Sequence, residues 1–183
     1  LTYYGAKELA ASFRTVRDNT IKIAEEIPEE QYSYQATPES RTVAATLVHI
    51  ALGPQLPEQI HFAEPLSTLI GFDFFAFMGK KMAEEATPRT KAEILLLLRE
   101  EGDKFEKLLA GASEALLAES VEYPQGMVPP SKSRFEMLLS AKEHEMHHRG
   151  QLMLIERMLG ITPHLTRHMQ ERIAAMNAAQ AAG

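Results

Sequence analysis

The chain has 183 residues, is 45% hydrophobic and contains no cysteine. That composition suffices for a folded core and excludes disulfides, thiolate ligands and a cysteine nucleophile. The formal net charge is −6, and no lysine and arginine cluster is present to track a phosphate backbone, so no nucleic-acid partner is expected.

No membrane association is expected either. The longest uncharged run, Thr42 to Pro57, is broken by prolines and is shorter than the ~20 apolar residues of a membrane span. The first ten residues lack the basic-then-apolar pattern of a signal peptide, although the sequence does not begin with Met. A soluble, cytoplasmic protein is the reading.

In chain order, Leu9, Phe13, Val16, Thr20, Ile23 and Ile27 recur at steps of four and three, which predicts an amphipathic helix ending at Pro28. Residues 28–38 form a polar connection. A second helix begins near Thr42 and carries no charge on any side, the mark of a buried helix. Pro54 and Pro57 end or kink it. Residues 63–88 form a long crossover, helical from about Phe74 to Glu85. Thr90, with Glu93 at the capping-box position, opens a third long helix reaching Leu109. Its seam is Ile94 or Leu95, Leu98, Phe105 and Leu109. A short helical piece at 113–118 precedes a loop set by Pro124, Gly126, Pro129 and Pro130; no strand is expected. Ser131 or Ser133 starts a fourth long helix that runs to Leu159, with Gly160 as its cap. Thr162-Pro163 opens a weaker C-terminal helix that fades into an alanine-rich end. The fold class is all-α: a four-helix bundle over 1–162 with long crossover loops, and a short helical extension or frayed tail over 163–183.

Three of the seven histidines fall in His144-Glu145-Met146-His147-His148. On the fourth helix Met137, Ala141, His144, His148, Gln151, Ile155 and Met158 follow an a/d seam, so His144 and His148 share the core-facing stripe. Polar groups there need partners, and a metal ion is one. His49, alone on the uncharged second helix, is the candidate third ligand. Three protein ligands with an open position is the pattern of a catalytic site. A lone buried histidine is more commonly a hydrogen-bonded core residue, and His61 is read that way. His164 and His168 are read as a solvated face. His147 lies about 60° round the helix from His144, at the stripe's edge. His144-Glu145-x-x-His148 also spells H-E-x-x-H, in which Glu145 would activate water in a zincin-like peptidase. That reading is disfavoured by the lack of strands to hold an extended substrate.

The run His144-x-x-His147-His148-Arg149-Gly150-Gln151, a histidine in helix two, and the opening Ala36-Thr37-Pro38-Glu39-Ser40-Arg41-Thr42 together resemble the DinB-like superfamily, which includes YfiT-type metal-dependent hydrolases and thiol transferases. The resemblance covers about residues 5–160. It implies an up-down-down-up bundle, a homodimer, and a metal on His49, His144 and His148. It also implies a small-molecule substrate, with a low-molecular-weight thiol as cosubstrate in several relatives. Histidine-only ligation suits zinc or nickel among other divalent metals. The expected function is activation of a thiol or water for S-transfer or hydrolysis, with His147, Glu145 and Gln151 as candidates for catalytic roles. The alternative is a non-catalytic metal-binding or dimerising bundle.

Overall fold

The computed structural model describes residues 4–181. Helix α1 (Ala6–Glu26) buries Leu9, Phe13, Val16, Thr20 and Ile23, and Ile27 caps it just before Pro28. Helix α2 (Val43–Ala51) starts where Thr42 accepts a hydrogen bond from the Ala45 amide at 3.1 Å. Such a cap is worth about 1 kcal/mol. The turn containing Gly53 and Pro54 ends α2, and the chain continues as α3 (Gln55–Glu58) and a π-helical turn, Gln59–Ala63. Helix α4 (Phe74–Glu85) lies in the crossover, capped by Asp73. Helix α5 (Lys91–Gly111) opens with the Thr90/Glu93 capping box and buries Ile94, Leu98, Phe105 and Leu109. Helix α6 (Glu114–Ala118) is followed by two short strands, β1 (Ser120–Glu122) and β2 (Ser131–Ser133).

The strands correct the sequence reading, which made this segment a loop. They pair antiparallel, with Val121 opposite Lys132. Each is only three residues long, too short to register as alternation against the surrounding prolines and glycine. The crossover joins them: the Leu69 amide donates to the Glu122 carbonyl at 2.8 Å.

Helix α7 (Arg134–Met158) is capped by Ser133 and closes in a Schellman motif. The Ile161 amide donates to the Glu156 carbonyl and the Gly160 amide to the Arg157 carbonyl, with Gly160 at φ +79°. That left-handed conformation favours glycine. Helix α8 (His164–Ala181) follows as a regular helix.

Cross-helix contacts give the direction of each long helix. Arg14 of α1 pairs with Asp103 and Glu106 of α5, and Glu25 with Arg99, so α1 and α5 are antiparallel. Leu9 shares a cluster with Leu138 of α7, and Arg17 pairs with Glu145, so α1 and α7 are parallel. His49 of α2 meets His144, while Thr46 shares a cavity wall with Gln151 and Ile155, so α2 and α7 are antiparallel. The order is up-down-down-up across α1, α2, α5 and α7. Because α2 and α5 run the same way, a long crossover must join them, and it carries α4 back along the α2 side, where Glu84 meets Gln55 and Glu85 meets His49.

Two apolar clusters fill the interior. One gathers Ile23, Ile27, Val43, Leu47, Ile50, Leu98 and Leu152; the other gathers Leu9, Phe13, Phe105, Leu109 and Leu138. A charged layer is buried among the same helices. It consists of Arg17, fully buried, and Glu145, 2% exposed.

Candidate metal centre

The residues that α7 buries are Arg134, Leu138, Glu145, His148, Leu152, Ile155 and Glu156. This corrects the predicted seam by one position. His148 and Ile155 hold, but Glu145 takes the centre, while His144 moves to the edge and Gln151 is exposed. The cause is Arg17. A glutamate reads as a surface residue in a hydrophobic pattern until a buried cation is found opposite it. Glu145 receives Arg17 Nε at 3.0 and 3.1 Å and Nη2 at 2.9 Å; Arg17 also donates to the Leu98 and Ile50 carbonyls. The Glu145 carboxylate is thereby committed, so the water-activating role in an H-E-x-x-H site does not fit it. Gly102 makes this arrangement possible, since a Cβ there would sit 2.9 Å from Arg17 Cγ.

At the edge of the bundle α2 and α7 bring His49, His144 and His148 together. Their ring centroids are 4.6–4.9 Å apart, and one nitrogen from each lies within 4.8 Å of the others. His49 Nε2 faces His144 Nε2 at 3.0 Å. The other nitrogens of two rings are held from outside. His49 Nδ1 contacts Glu85 Oε1 at 2.8 Å, and His148 Nδ1 contacts Gln151 Oε1 at 2.8 Å. A proton on each Nδ1, donated outward, leaves Nε2 as a free lone pair, the form in which imidazole binds metal. His144 fits because position 53 is glycine: a Cβ there would lie 3.3 Å from its Nδ1.

Burial pushes all three imidazoles below the usual histidine range. His144 is lowered to about 4, its neighbours His148 and His49 adding to the effect; for His49, Glu85 opposes the fall. The cluster is therefore neutral at pH 7. Three neutral nitrogen donors this close fit a divalent ion: tetrahedral zinc, with bonds of about 2.0–2.1 Å, needs donors roughly 3.3 Å apart.

Two groups at this site were not singled out in the sequence. Glu85 and Lys81 sit one turn apart on α4. Lys81 is 7% exposed, and its ammonium lies 3.9 Å from Glu85 Oε1. Neither fits a ligand motif; only the i, i+4 spacing on a helical piece of the crossover could have hinted at them. Beside the cluster, a cavity of about 610 Å³ is lined by Glu39, Ser40, Arg41, Thr46, Gln151 and Leu154 among others. Part of the cavity wall comes from the segment 36–41 that precedes α2.

The remaining candidates divide. His147 is exposed and lies 3.3 Å from Gln151 Nε2, so Gln151 links it to His148. His61 is a core histidine, 1% exposed, 3.3 Å from Arg134. His168 is exposed, as expected. His164 is a correction: it is 2% exposed, with Nε2 2.9 Å from Asn19 Oδ1, because α8 docks its first turn onto α1. Among the described residues no helix is long and apolar enough to cross a membrane.

Comparison with solved structures supports the architecture. YjoA, a DinB-like protein of Bacillus subtilis, superposes with a TM-score of 0.63 at 21% identity, over 85% of this chain and 93% of its own. YfiT of Bacillus subtilis, described as a probable metal-dependent hydrolase with an unusual four-helix bundle topology, gives a TM-score of 0.65 at 14% identity, over 88% and 91%. Among curated proteins none matches. A sequence model of the DinB family matches residues 3–177, and with the fold and the histidine run in agreement, this chain belongs to the DinB family.

Proposed function

We propose that the protein is a divalent-metal-dependent enzyme that holds its ion, zinc or nickel, on His49, His144 and His148. The observation that carries this reading is the convergence of three neutral imidazoles from α2 and α7, two of them oriented from outside by Glu85 and Gln151. Bound there, the ion supplies Lewis acidity that lowers the pKa of water or of a low-molecular-weight thiol, for hydrolysis or S-transfer. The chain's own residues do the rest. Glu85 and Gln151 accept the Nδ1 protons and fix the tautomers. Gln151 donates to His147 Nε2, which leaves that exposed ring to exchange protons with solvent at its other nitrogen. The adjoining cavity suits a small-molecule substrate. Because Arg17 engages Glu145, a peptidase mechanism has no base here. A homodimer, implied by the family resemblance, belongs to the same reading and is checked by light scattering.

A second reading draws on the 3.0 Å contact between His49 and His144, a normal N–H···N hydrogen bond without any metal. In that case the cluster is a structural element of a non-catalytic bundle. Elemental analysis of purified protein and of the His144→Ala and His148→Ala variants separates the two. The enzyme reading requires about one ion per wild-type chain and loss of the ion in both variants. A wild type that takes up no divalent ion under any loading condition would sink it.

A further inference from the structure

Helix α4 inverts the usual amphipathic rule. Phe74, Phe75 and Met82 are 48%, 88% and 63% exposed, and the one residue it buries is Lys81. Apolar packing alone would turn this helix the other way. Two contacts, of 3.9 and 2.8 Å, connect the Lys81 ammonium through Glu85 to the His49 ring. Among the described residues Lys81 makes no hydrogen bond, and Glu85 is its ion-pair partner, at the outer limit of such a contact. Neighbouring Glu84 is taken up by Gln55 at 3.2 Å and by Arg89.

A second cation faces the same place. Arg41 lines the cavity beside Gln151. It follows a turn in which the Ser40 hydroxyl donates to the Thr37 carbonyl and accepts from the Thr37 amide. Gln151, on the same cavity wall as Arg41, contacts His148 Nδ1 at 2.8 Å, which sets the Arg41 side of the cavity against the histidine cluster. Glu39 shares the cavity wall. The histidine donors bring no negative charge, so an ion bound by them keeps its full charge beside two cations and a single contacting carboxylate, Glu85. With the Lys81 ammonium buried, a positive cluster of this kind is costly until an anion enters it.

We propose that Lys81 and Arg41 form an anion-recognising pair at the rim of the three-histidine centre, and that its substrate carries a carboxylate or a phosphate. The inference rests on the metal-enzyme reading above. The pair positions the substrate's anionic group while the reacting atom meets the ion, and it disfavours neutral molecules of the same size.

The test loads the full chain with one equivalent of cobalt(II), verified by elemental analysis. The visible spectrum and the heat of binding are then followed during titration with acetate, inorganic phosphate and acetamide. Wild type binds acetate or phosphate and not acetamide; which anion binds more tightly distinguishes the two substrate chemistries. Lys81→Met weakens anion binding about tenfold or more, Lys81→Arg restores most of it, and Arg41→Gln weakens it by a smaller factor. Arg41 is exposed, so its variant keeps the test decisive should Lys81→Met fail to fold. Metal uptake with anion binding that is absent, matched by acetamide, or unchanged in both charge-removing variants overturns this inference alone. A wild type that takes up no metal overturns the reading beneath it as well.

Discussion

Adjacent residues of α7 belong to two buried polar groupings built in opposite ways. Glu145 and Arg17 form a closed unit in which both carboxylate oxygens and all three guanidinium nitrogens are engaged. His144 and His148, with His49, form an open one, whose outer nitrogens are partly secured and whose inner nitrogens face each other. A closed pair ties helices together and offers nothing to a ligand. An open cluster gains little for the fold and keeps lone pairs available. On the proposed function the first serves architecture and the second chemistry, a contrast that can be attacked experimentally.

The largest expected effect is on the closed unit. Arg17→Met leaves the Glu145 charge buried and should cost about 3–5 kcal/mol in urea denaturation, whereas Arg17→Met with Glu145→Leu should recover most of that loss. His144→Ala in metal-free protein should cost clearly less. Equal losses would break the comparison.

A pH series sharpens it. Burial lowers His61 and His144 to about 4, below the usual 6.5. The folded state thus binds fewer protons than the unfolded chain between those values. Stability is full above pH 6.5 and falls as pH drops toward 4. Glu156 acts in the opposite sense. It is fully buried with both carboxylate oxygens unpartnered among the described residues, and burial, with Glu26 nearby, pushes it up to about 7. Its contribution is present below pH 4.5 and is lost as pH rises through 7. Glu156→Gln should therefore add about 2 kcal/mol at pH 8 and almost nothing at pH 4, measured by thermal melts across pH.

Smaller effects probe the outer supports. Glu85→Gln and Gln151→Leu should weaken metal binding tenfold to a hundredfold, about 1.4–2.8 kcal/mol, with little change in the stability of the metal-free protein. Gly102→Ala should cost about 1–2 kcal/mol, because the Arg17 side chain it meets is pinned at its far end and cannot swing aside. That variant should leave metal uptake intact, which keeps the two groupings separable.

Much of this was legible in the sequence. The start near Thr42, the Thr90 cap, the Ser133 start (one of two serines offered), the Gly160 stop and the α1 and α5 seams are local signals and appear in the fold. His49, His144 and His148 were legible as candidates, the first because its helix is uncharged and the other two because they fall on a predicted apolar stripe. The phase of α7 was misread by one position for a physical reason: charge in a pattern reports residue type and not environment. His144 was placed on the core stripe and Glu145 left off it, and Arg17 of α1 reversed both. The strand pair escaped notice because three residues carry too little alternation.

The sequence by itself determined where the helices begin and end, that they form a bundle, and which histidines are candidates, because caps and periodicity act over a few residues. Tertiary structure alone decided that Arg17 meets Glu145, that Gly53 makes room for His144, and that the crossover returns Lys81 and Glu85 to the histidines. Those pairings span tens of residues, and a charged side chain reveals whether it is buried only through what stands opposite it.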